Sequence, residues 1–454
     1  MKFIRDKQNK KTVVAMSGGV DSSAAALLLK KQGYEVIGMF MRLAPLDMKN
    51  YLTGWSVNEE DNEAAARRVC QKLNIKFYPI NLTQEFRKEV MDYFLDSYAQ
   101  GLTPNPCVKC NQFIKFNGLL KLVEKLGADY LATGHYARLR REIPNYKSQI
   151  PNKLQNIRLM PSCHSRPLRR SFSEASASGN PGDSGRNVNN RLKVINLHPA
   201  LAWIPNPRPR TAQWGRQVGN DNVVYKLCRG KDENKDQSYF LYNLTQRQLA
   251  RVLFPLGDYA KEEVRKIADR AKLPYLTKES QDICFLKGDH NDFLRQHLKL
   301  KPGPIILETE GLGKVIGKHQ GLPLYTIGQR RGVEIGGIGP FYAAKCDYKT
   351  NTLYVVSGRD DPALYSDELI AKDVNWLAGQ EPKLPLACET VIRYRHKPVK
   401  CIITVGTGQC PVHANKYLIK FNKAQRAITP GQSAVFYKGD ELLGGGVIQD
   451  TTSI

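Results

Sequence analysis

The sequence predicts an α/β protein: an N-terminal doubly wound parallel-sheet domain, a small central domain and a C-terminal antiparallel β-barrel. In the first part of the chain, short apolar runs alternate with amphipathic helical segments, an order typical of parallel sheets covered by helices. Beyond about residue 285, short alternating segments with Gly-rich turns follow, as in a small barrel. The length of 454 residues suits about three domains, and we expect their limits at 1–286, 287–366 and 367–454.

The individual elements follow from the spacing of apolar residues. Apolar runs predict strands in the first domain at 12–16, 35–41, 75–80 and 130–133. Amphipathic spacing predicts helices at 23–32, 59–73, 83–100, 113–126, 244–253 and 259–271. Within 83–100, Phe86, Val90 and Phe94 recur at near-fourfold spacing, and Gly101 ends the helix. In the barrel, strands are predicted at 401–405, 417–421 and 433–437, with a turn at 438–440.

Residues 144–219 form a distinct segment within the first domain. The segment has 12 Lys and Arg but two acidic residues, and it is rich in Ser, Pro, Asn and Gly without a sustained helical or strand period. This composition indicates a basic, mostly disordered insertion. Two interpretations remain open: a tolerated surface insert, or an arm that binds RNA.

Composition and charge restrict the classes of function. The chain has 41% hydrophobic residues and a formal charge of +25, which favours a polyanionic partner, and nucleic acid over a membrane. No apolar run approaches the roughly 18 residues of a membrane span, and the N-terminus lacks the apolar core of a signal peptide. Ten dispersed cysteines indicate free thiols in a reducing compartment. We therefore expect a cytoplasmic protein.

The first chemical motif is the string from Ser17 to Ser23, between the first predicted strand and helix. Gly18 and Gly19 allow backbone N–H groups to approach an anion, and three serine hydroxyls with the helix N-terminus complete a phosphate cradle. The string lacks the Gly-Lys-Ser/Thr of a Walker A loop. It resembles the pyrophosphate loop of the ATP pyrophosphatase superfamily, whose members adenylate a substrate.

Cysteines mark two further motifs. Cys107 and Cys110 follow two prolines, so we expect both thiols on a rigid loop before a helix near Phe113, whose positive end lowers a thiol pKa. A zinc site is disfavoured because no second Cys-x-x-Cys or paired His follows at finger spacing. Cys284 lies in a polar turn and, taken alone, is typical of a packed thiol.

Together these strings resemble those of the bacterial and organellar tRNA-specific 2-thiouridylases over nearly the whole chain outside 144–219. The resemblance rests on ordered motifs: 17–23, 103–111, 132–136, 235–240, 254–257, 280–285, 325–330, 393–394 and 429–432. It implies ATP-dependent replacement of the C2 oxygen of the wobble uridine by sulfur, with AMP and pyrophosphate as products. ATP, with Mg²⁺, would be held by Ala15, Met16, Ser17, Gly18, Gly19, Val20, Asp21, Ser22, Met41 and Gly134.

The resemblance also implies roles for the two thiols and for tRNA contacts. Cys284 would carry a persulfide received from a cysteine desulfurase or sulfur-relay protein, and Cys110 would be its partner thiol, with a disulfide between them as product or resting state. Asn105, Pro106 and Cys107 would face the flipped target base. The expected tRNA contacts are His135, Lys235, Asp236, Gln237, Arg393, Tyr394 and Gln432.

Cys107 departs from the family pattern, because many members have Asp at this position as the proposed acid/base helper. Its presence opens a second mechanism, in which Cys107, Cys110 and Cys284 hold an iron-sulfur cluster. We rank the persulfide mechanism first and expect no metal site. Two other classes stay in view: another adenylating enzyme, such as an amide-forming ligase or lysidine synthetase, which needs no cysteine pair, and a non-catalytic RNA-binding protein, which needs no intact 17–23 loop.

Overall fold

The computed structural model describes residues 10–44, 59–142, 223–277, 283–286, 289–308, 313–333, 340–405 and 415–449. The insertion expected at 144–219 lies outside these ranges, as do Ser280, Gln281 and Asp282 of the third motif. Among the described residues, no helix combines the length and apolar character needed to cross a membrane.

Strands and helices alternate in the first half of the described chain, and strands dominate the second. The strands are β1 (Lys11–Met16), β2 (Glu35–Arg42), β3 (Lys76–Asn81), β4 (Tyr130–Ala132), β5 (Ala137–Glu142), β6 (Val224–Arg229), β7 (Val252–Leu253), β8 (Gly303–Leu307), β9 (Lys314–His319), β10 (Tyr342–Asp347), β11 (Thr352–Val356), β12 (Tyr365–Trp376), β13 (Leu386–Val391), β14 (Val399–Val405), β15 (Lys416–Arg426), β16 (Ser433–Lys438) and β17 (Glu441–Ile448). The helices are α1 (Val20–Lys31), α2 (Glu59–Lys72), α3 (Thr83–Phe86), α4 (Tyr93–Ala99), α5 (Pro106–Lys109), α6 (Leu119–Lys125), α7 (Gln246–Leu249), α8 (Lys261–Arg270) and α9 (His290–His297). Two π-helical stretches, Arg87–Asp92 and Cys110–Gly118, join α3 to α4 and α5 to α6.

The N-terminal domain is built on a parallel sheet with strand order β3-β2-β1-β4-β7. Successive residues of its central strands face two separate cores because side chains alternate along a strand. In β1, Val13 packs into one core and Val14 into the other, and Leu131 and Ala132 of β4 divide in the same way. Burial on both faces confirms the doubly wound fold that the sequence predicts.

The C-terminal domain is a closed antiparallel barrel of β12, β15, β14, β13, β16 and β17, closed by pairing of β17 with β12. Its sheet continues beyond the barrel, because β6 of the N-terminal domain pairs with β17, and β5 with β6. The central region carries a smaller sheet with order β10-β11-β8-β9. The barrel predicted from the sequence is therefore confirmed, and a hairpin of the first domain extends its sheet.

Three local predictions differ from the structure. The helix expected at 244–253 is the short α7, begun by a capping box at Thr245, and Val252 and Leu253 instead form the sheet edge as β7. Helix α9 was not predicted. The helix expected from residue 113 begins at Pro106, because proline at the first helical position loses no intrahelical hydrogen bond.

Candidate active site

Strands β1 and β4 lie side by side where the winding of the sheet changes direction. From β1 the chain proceeds to β2 and β3 on one side, whereas β4 lies on the other. In open parallel sheets, ligands bind beyond the carboxyl ends of the strands at such a switch point. Residues 17–23 follow β1 and residues 133–136 follow β4, so two of the predicted motifs flank this point. Met41, half-buried near the end of β2, lies at the same edge.

The 17–23 loop is held by its own serine hydroxyls. Ser22 Oγ accepts a hydrogen bond from the Ser17 N–H at 3.1 Å and donates one to the Gly19 carbonyl at 3.2 Å. Ser23 Oγ donates to the same carbonyl at 2.8 Å. These bonds fix the turn into α1, and the first N–H groups of a helix, which have no acceptor within it, favour an anion. The local geometry suits the phosphate cradle expected from the sequence.

Glycine is required at two positions around this loop. Gly18 has φ +80°, and a Cβ there would lie 2.5 Å from the Asn62 carbonyl oxygen of α2. Gly134 brings the segment after β4 against the start of α1, since its Cβ would lie 3.0 Å from the Ser22 nitrogen. Both contacts bring backbone close to backbone at the switch point, as a narrow nucleotide site demands.

Asp21 links the loop to side chains that lie far along the sequence. Lys261, at the start of α8, places its Nζ 2.7 Å from both carboxylate oxygens of Asp21. The hydroxyl of Tyr136 donates to the same carboxylate at 2.7 Å. Sequence reasoning missed both partners. Tyr136 belongs to the 132–136 motif and was within reach of it, whereas Lys261 opens an ordinary amphipathic helix and no local signal marks it.

The structure places Cys107 and Cys110 inside a helix, and the loop predicted for them is wrong. Cys107 lies within α5, half-buried, and Cys110 is buried at the start of the following π-helical stretch. The lowered thiol pKa expected for Cys110 is also wrong: burial raises its pKa to about 11. Desolvation of the thiolate outweighs the favourable effect of Lys115. Asn105 and Pro106, at the helix start, are half-buried and buried.

Cys284 is held in position by the packing of the next residue among aromatic rings. The neighbouring Phe285 is buried, with its ring centroid 5.6 Å from those of Phe86 and Phe94 on the α3–α4 helix and 6.1 Å from that of Phe293 on α9. Cys284 itself is solvent-exposed, yet desolvation by surrounding protein raises its thiol pKa.

Lys115 links the predicted site residues electrostatically. Its charge acts on the thiols of Cys110 and Cys284 and on the imidazole of His135. Cys284 in turn raises the pKa of Cys110, so the two sulfurs are near enough to influence each other's ionisation. The structure therefore brings the two predicted catalytic cysteines near each other, although 174 positions of sequence separate Cys110 from Cys284. Lys115 is a further site residue that sequence reasoning missed.

His135 is buried between aromatic rings. Its Nδ1 lies 2.7 Å from Thr133 Oγ1, and its ring contacts Phe116 and Phe254. Burial, assisted by Lys115, holds the His135 pKa well below its usual value, so the imidazole is neutral near pH 7. The predicted tRNA contact at His135 stays a prediction, and only 8% of the residue is exposed.

The 235–237 segment lies where the N-terminal domain meets the barrel. Asp236 is buried and accepts hydrogen bonds from the backbone of Gly230 and Ser238, and from the Ser238 hydroxyl, which also contacts Tyr437 of β16. Burial raises the Asp236 pKa despite these bonds. Gln237 accepts a hydrogen bond from the Tyr136 N–H. The segment thus connects the barrel with the residues after β4.

The predicted tRNA contacts on the barrel are Arg393, Tyr394 and Gln432, and two of them contact segments of the N-terminal domain. The Tyr394 ring lies 4.5 Å from that of Phe240, just beyond the 235–237 segment. Gln432 donates to the carbonyl of Thr103, in the loop that precedes Cys107, at 3.0 Å. Arg393 is half-buried, and desolvation lowers its pKa, with Arg426 adding to the effect. Two of the three residues thereby touch segments that lead to the cysteines or to the 235–237 segment.

The iron-sulfur mechanism requires Cys107, Cys110 and Cys284 to hold one cluster together. Across the described part of the chain, which includes Cys107, Cys110 and Cys284, no three His, Cys, Asp or Glu side chains gather as a metal-binding group. The described cysteines are also not joined by disulfides. The persulfide and cluster mechanisms both stay predictions.

Family models match all three parts of the chain. The tRNA methyl transferase HUP domain matches residues 10–158 and 208–288, the tRNA methyl transferase PRC-barrel domain matches 291–357, and the aminomethyltransferase beta-barrel domain matches 366–448. The first of these covers about half of the chain.

Curated relatives match nearly end to end. A tRNA-specific 2-thiouridylase MnmA of Roseiflexus castenholzii is 39% identical over 96% of this chain and 99% of its own length. One of Shouchella clausii is 38% identical over 98% of each chain. Among solved structures, the U34-tRNA thiolase NcsA of Methanococcus maripaludis aligns with 29% of this chain and 41% of its own at 24% identity and a TM-score of 0.21, too low to bear on the fold. The chain belongs to the family of tRNA-specific 2-thiouridylases, which are sulfurtransferase enzymes.

Proposed function

We propose that this chain is a tRNA-specific 2-thiouridylase that adenylates the C2 oxygen of the wobble uridine with ATP and replaces it with sulfur from a cysteine persulfide. The observation that carries the proposal is the pairing of Cys110 and Cys284 under the shared influence of Lys115. Lys115 also acts on the imidazole of His135, which directly follows the Gly134 contact with the phosphate loop. These observations support an active site in which ATP chemistry and sulfur chemistry are neighbours.

ATP binding is assigned to Ala15 to Ser22, with Met41 and Gly134 placing the adenine and nucleotide. The switch-point position and the internal hydrogen bonds of the loop at the start of α1 support this assignment. Lys261 and Tyr136 orient the Asp21 carboxylate. Mg²⁺ is included as the usual companion of ATP, without an assigned side chain.

The two thiols divide the sulfur chemistry. The terminal sulfur of a persulfide on Cys284 attacks C2, and AMP leaves with the original oxygen. Cys110 thiolate then attacks the Cys284 sulfur, which breaks the bond to the transferred sulfur and leaves a disulfide between the two cysteines and a 2-thiouridine. A dithiol reductant restores both thiols. Persulfide would be supplied by a cysteine desulfurase or sulfur-relay protein in the cytoplasm.

Recognition of the tRNA is assigned to surfaces of two domains. Asn105, Pro106 and Cys107 face the flipped base beside Cys110. His135, the 235–237 segment, Arg393, Tyr394 and Gln432 surround that position, and the Phe240–Tyr394 and Gln432–Thr103 contacts support their common placement. Domain limits at 1–286, 287–366 and 367–454 are part of the proposal.

Anaerobic thiolation of unmodified tRNA, with ATP and a persulfide donor, tests this proposal. Wild-type protein is expected to form 2-thiouridine and to release AMP and pyrophosphate, whereas Cys110→Ser and Cys284→Ser form none. Cys346→Ala, in the central sheet, serves as the matched control and retains activity. Retained thiolation by Cys284→Ser would refute the persulfide route.

The same experiment separates the persulfide and cluster mechanisms. Iron-free protein that thiolates, with Cys107→Ala active, supports the two-cysteine route. Near-stoichiometric iron whose removal abolishes activity would instead assign Cys107, Cys110 and Cys284 to a cluster. If the wild-type protein forms no 2-thiouridine either with or without iron, the assigned reaction would be overturned.

A further inference from the structure

A second pair of cysteines lies in the barrel, apart from the candidate active site. Cys388 of β13 and Cys401 of β14 are directly opposed in the antiparallel register. Their sulfurs are 3.7 Å apart, and both residues are buried in the barrel core. Nothing in the proposed sulfur transfer uses either thiol.

The backbone geometry permits a bond between these sulfurs. Directly opposed residues of an antiparallel pair have Cα atoms about 4.5–5.5 Å apart, which lies within the about 4.4–6.8 Å span of disulfide-linked cysteines. The sulfurs must approach from 3.7 Å to the bond length of about 2.05 Å. Side-chain rotation supplies such a movement without a change of register.

The surroundings favour reaction at Cys401. Its sulfur lies 3.0 Å from the Thr390 hydroxyl and 3.7 Å from the Cys388 carbonyl oxygen. The hydrogen bond with the Cys388 thiol lowers the Cys401 pKa, and Thr390 adds to this effect, while the same bond raises the pKa of Cys388. Cys401 is therefore the better nucleophile of the two. The Cys388 sulfur is close enough to attack the oxidised Cys401 sulfur and form a disulfide.

The pair closes the base of a functional hairpin. Residues 392–398 connect β13 to β14 and include Arg393 and Tyr394. We propose that Cys388 and Cys401 are an oxidisable dithiol, converted by a hydroperoxide to a cross-strand disulfide that clamps the 392–398 loop. The proposal does not depend on the thiolation reaction.

The reaction balances with hydrogen peroxide as the oxidant. Cys401 thiolate attacks one peroxide oxygen, breaks the O–O bond and becomes a sulfenic acid, and the other oxygen leaves as hydroxide. The Cys388 thiol then attacks the Cys401 sulfur, and its proton leaves with the sulfenic oxygen as water. Two thiols and one peroxide give one disulfide and two waters.

Peptide mapping of the full chain after peroxide treatment tests the proposal. Trypsin sites at Arg393 and Arg395 separate the two cysteines, so a disulfide between them joins two tryptic peptides. The joined species has the summed mass of the two reduced peptides less two hydrogens, and dithiothreitol separates it into those peptides. We expect this species in wild-type protein and in a Cys110→Ala/Cys284→Ala variant, which lacks the other thiol pair. Thiols that persist, or that proceed to sulfinic acid without the cross-link, in protein with an unchanged circular dichroism spectrum would overturn it.

Limited proteolysis tests the clamp separately. Oxidised protein is expected to be cleaved by trypsin at Arg395 several-fold more slowly than reduced protein. Cys388→Ala, which cannot form the bond, is the control and should show equal rates with and without peroxide. Equal rates in cross-linked and reduced wild-type protein would refute the clamp. Because both readouts use wild-type protein, poor folding of a variant leaves the conclusion intact.

Discussion

Replacing Lys261 with Met tests how the phosphate loop is held. Lys261 Nζ lies 2.7 Å from both Asp21 oxygens, and the two side chains are 11% and 34% exposed. Breaking a fully buried pair costs about 3–5 kcal/mol, and an exposed pair about 0–1 kcal/mol. Because Asp21 keeps contact with solvent and with Tyr136, we expect a loss of about 2 kcal/mol in the free energy of unfolding.

Urea unfolding provides the measurement. For an m value of roughly 2–3 kcal/mol/M, that loss lowers the unfolding midpoint by about 0.7–1 M. Lys231→Met is the matched control, because Lys231 pairs with Glu263 at 3.4 Å with both side chains about half exposed. Its expected effect is much smaller, because water screens an exposed ion pair. Equal shifts in the two variants would refute the structural role of Lys261.

A double-mutant cycle assigns the effect to the pair. If Lys261 acts through Asp21, the combination with Asp21→Asn costs less than the sum of the single changes. Additive losses would mean that Lys261 stabilises α8 by other contacts. ATP binding supplies an independent readout, since a loop with a misplaced Asp21 is expected to bind ATP more weakly.

Four further predictions concern the loop, two titratable groups and the insertion. Gly134→Ala places a Cβ about 3 Å from the Ser22 nitrogen and is expected to weaken ATP binding at least tenfold by calorimetry, with little change in overall fold. The depressed His135 pKa means that the unfolded chain binds the extra proton first, so stability present above about pH 6.5 is lost as pH falls, with a slope of up to about 1.4 kcal/mol per pH unit; His135→Gln should flatten this slope in unfolding titrations. Alkylation of Cys284 by iodoacetamide should rise about tenfold per pH unit between pH 7 and 9, because its pKa is raised, and a plateau below pH 8 would contradict this. Replacing 144–219 with a short turn joins the ends of β5 and β6, where Glu142 and Val224 are paired, and should leave the thermal midpoint nearly unchanged; a smaller salt dependence of tRNA binding in this variant would favour the RNA-binding arm.

The phosphate loop was predictable because its signals are local. Gly18, Gly19 and the serines stand in one short string between a strand and a helix, and the sequence spacing alone defines that turn. The contact of Asp21 with Lys261 was not predictable, since Lys261 meets Asp21 only after α8 packs against α1. Long-range contacts of this kind carry no local pattern.

The environment of Cys110 shows a second reason why parts of the site could not be predicted from the sequence. The sequence marked Cys110 as a candidate catalytic residue and predicted a lowered thiol pKa from its position near a helix start. Pro106 begins the helix earlier than expected, and Cys110 is consequently buried within it. Desolvation, which raises the Cys110 pKa, then outweighs the charge of Lys115, which lowers it. Residue identity was evident from the sequence, whereas burial depends on packing that the sequence does not display.

The pairing of β6 with β17 has a consequence for synthesis on the ribosome. Leu227 and Cys228 are covered by Leu442 and Glu441, which emerge roughly 200 residues later, or about 10–40 s at ordinary elongation rates. Throughout that interval a strand edge of the nascent N-terminal domain lacks its native neighbour. Unpaired edges recruit other strands, so the nascent chain is expected to need chaperone protection until its last strand is made.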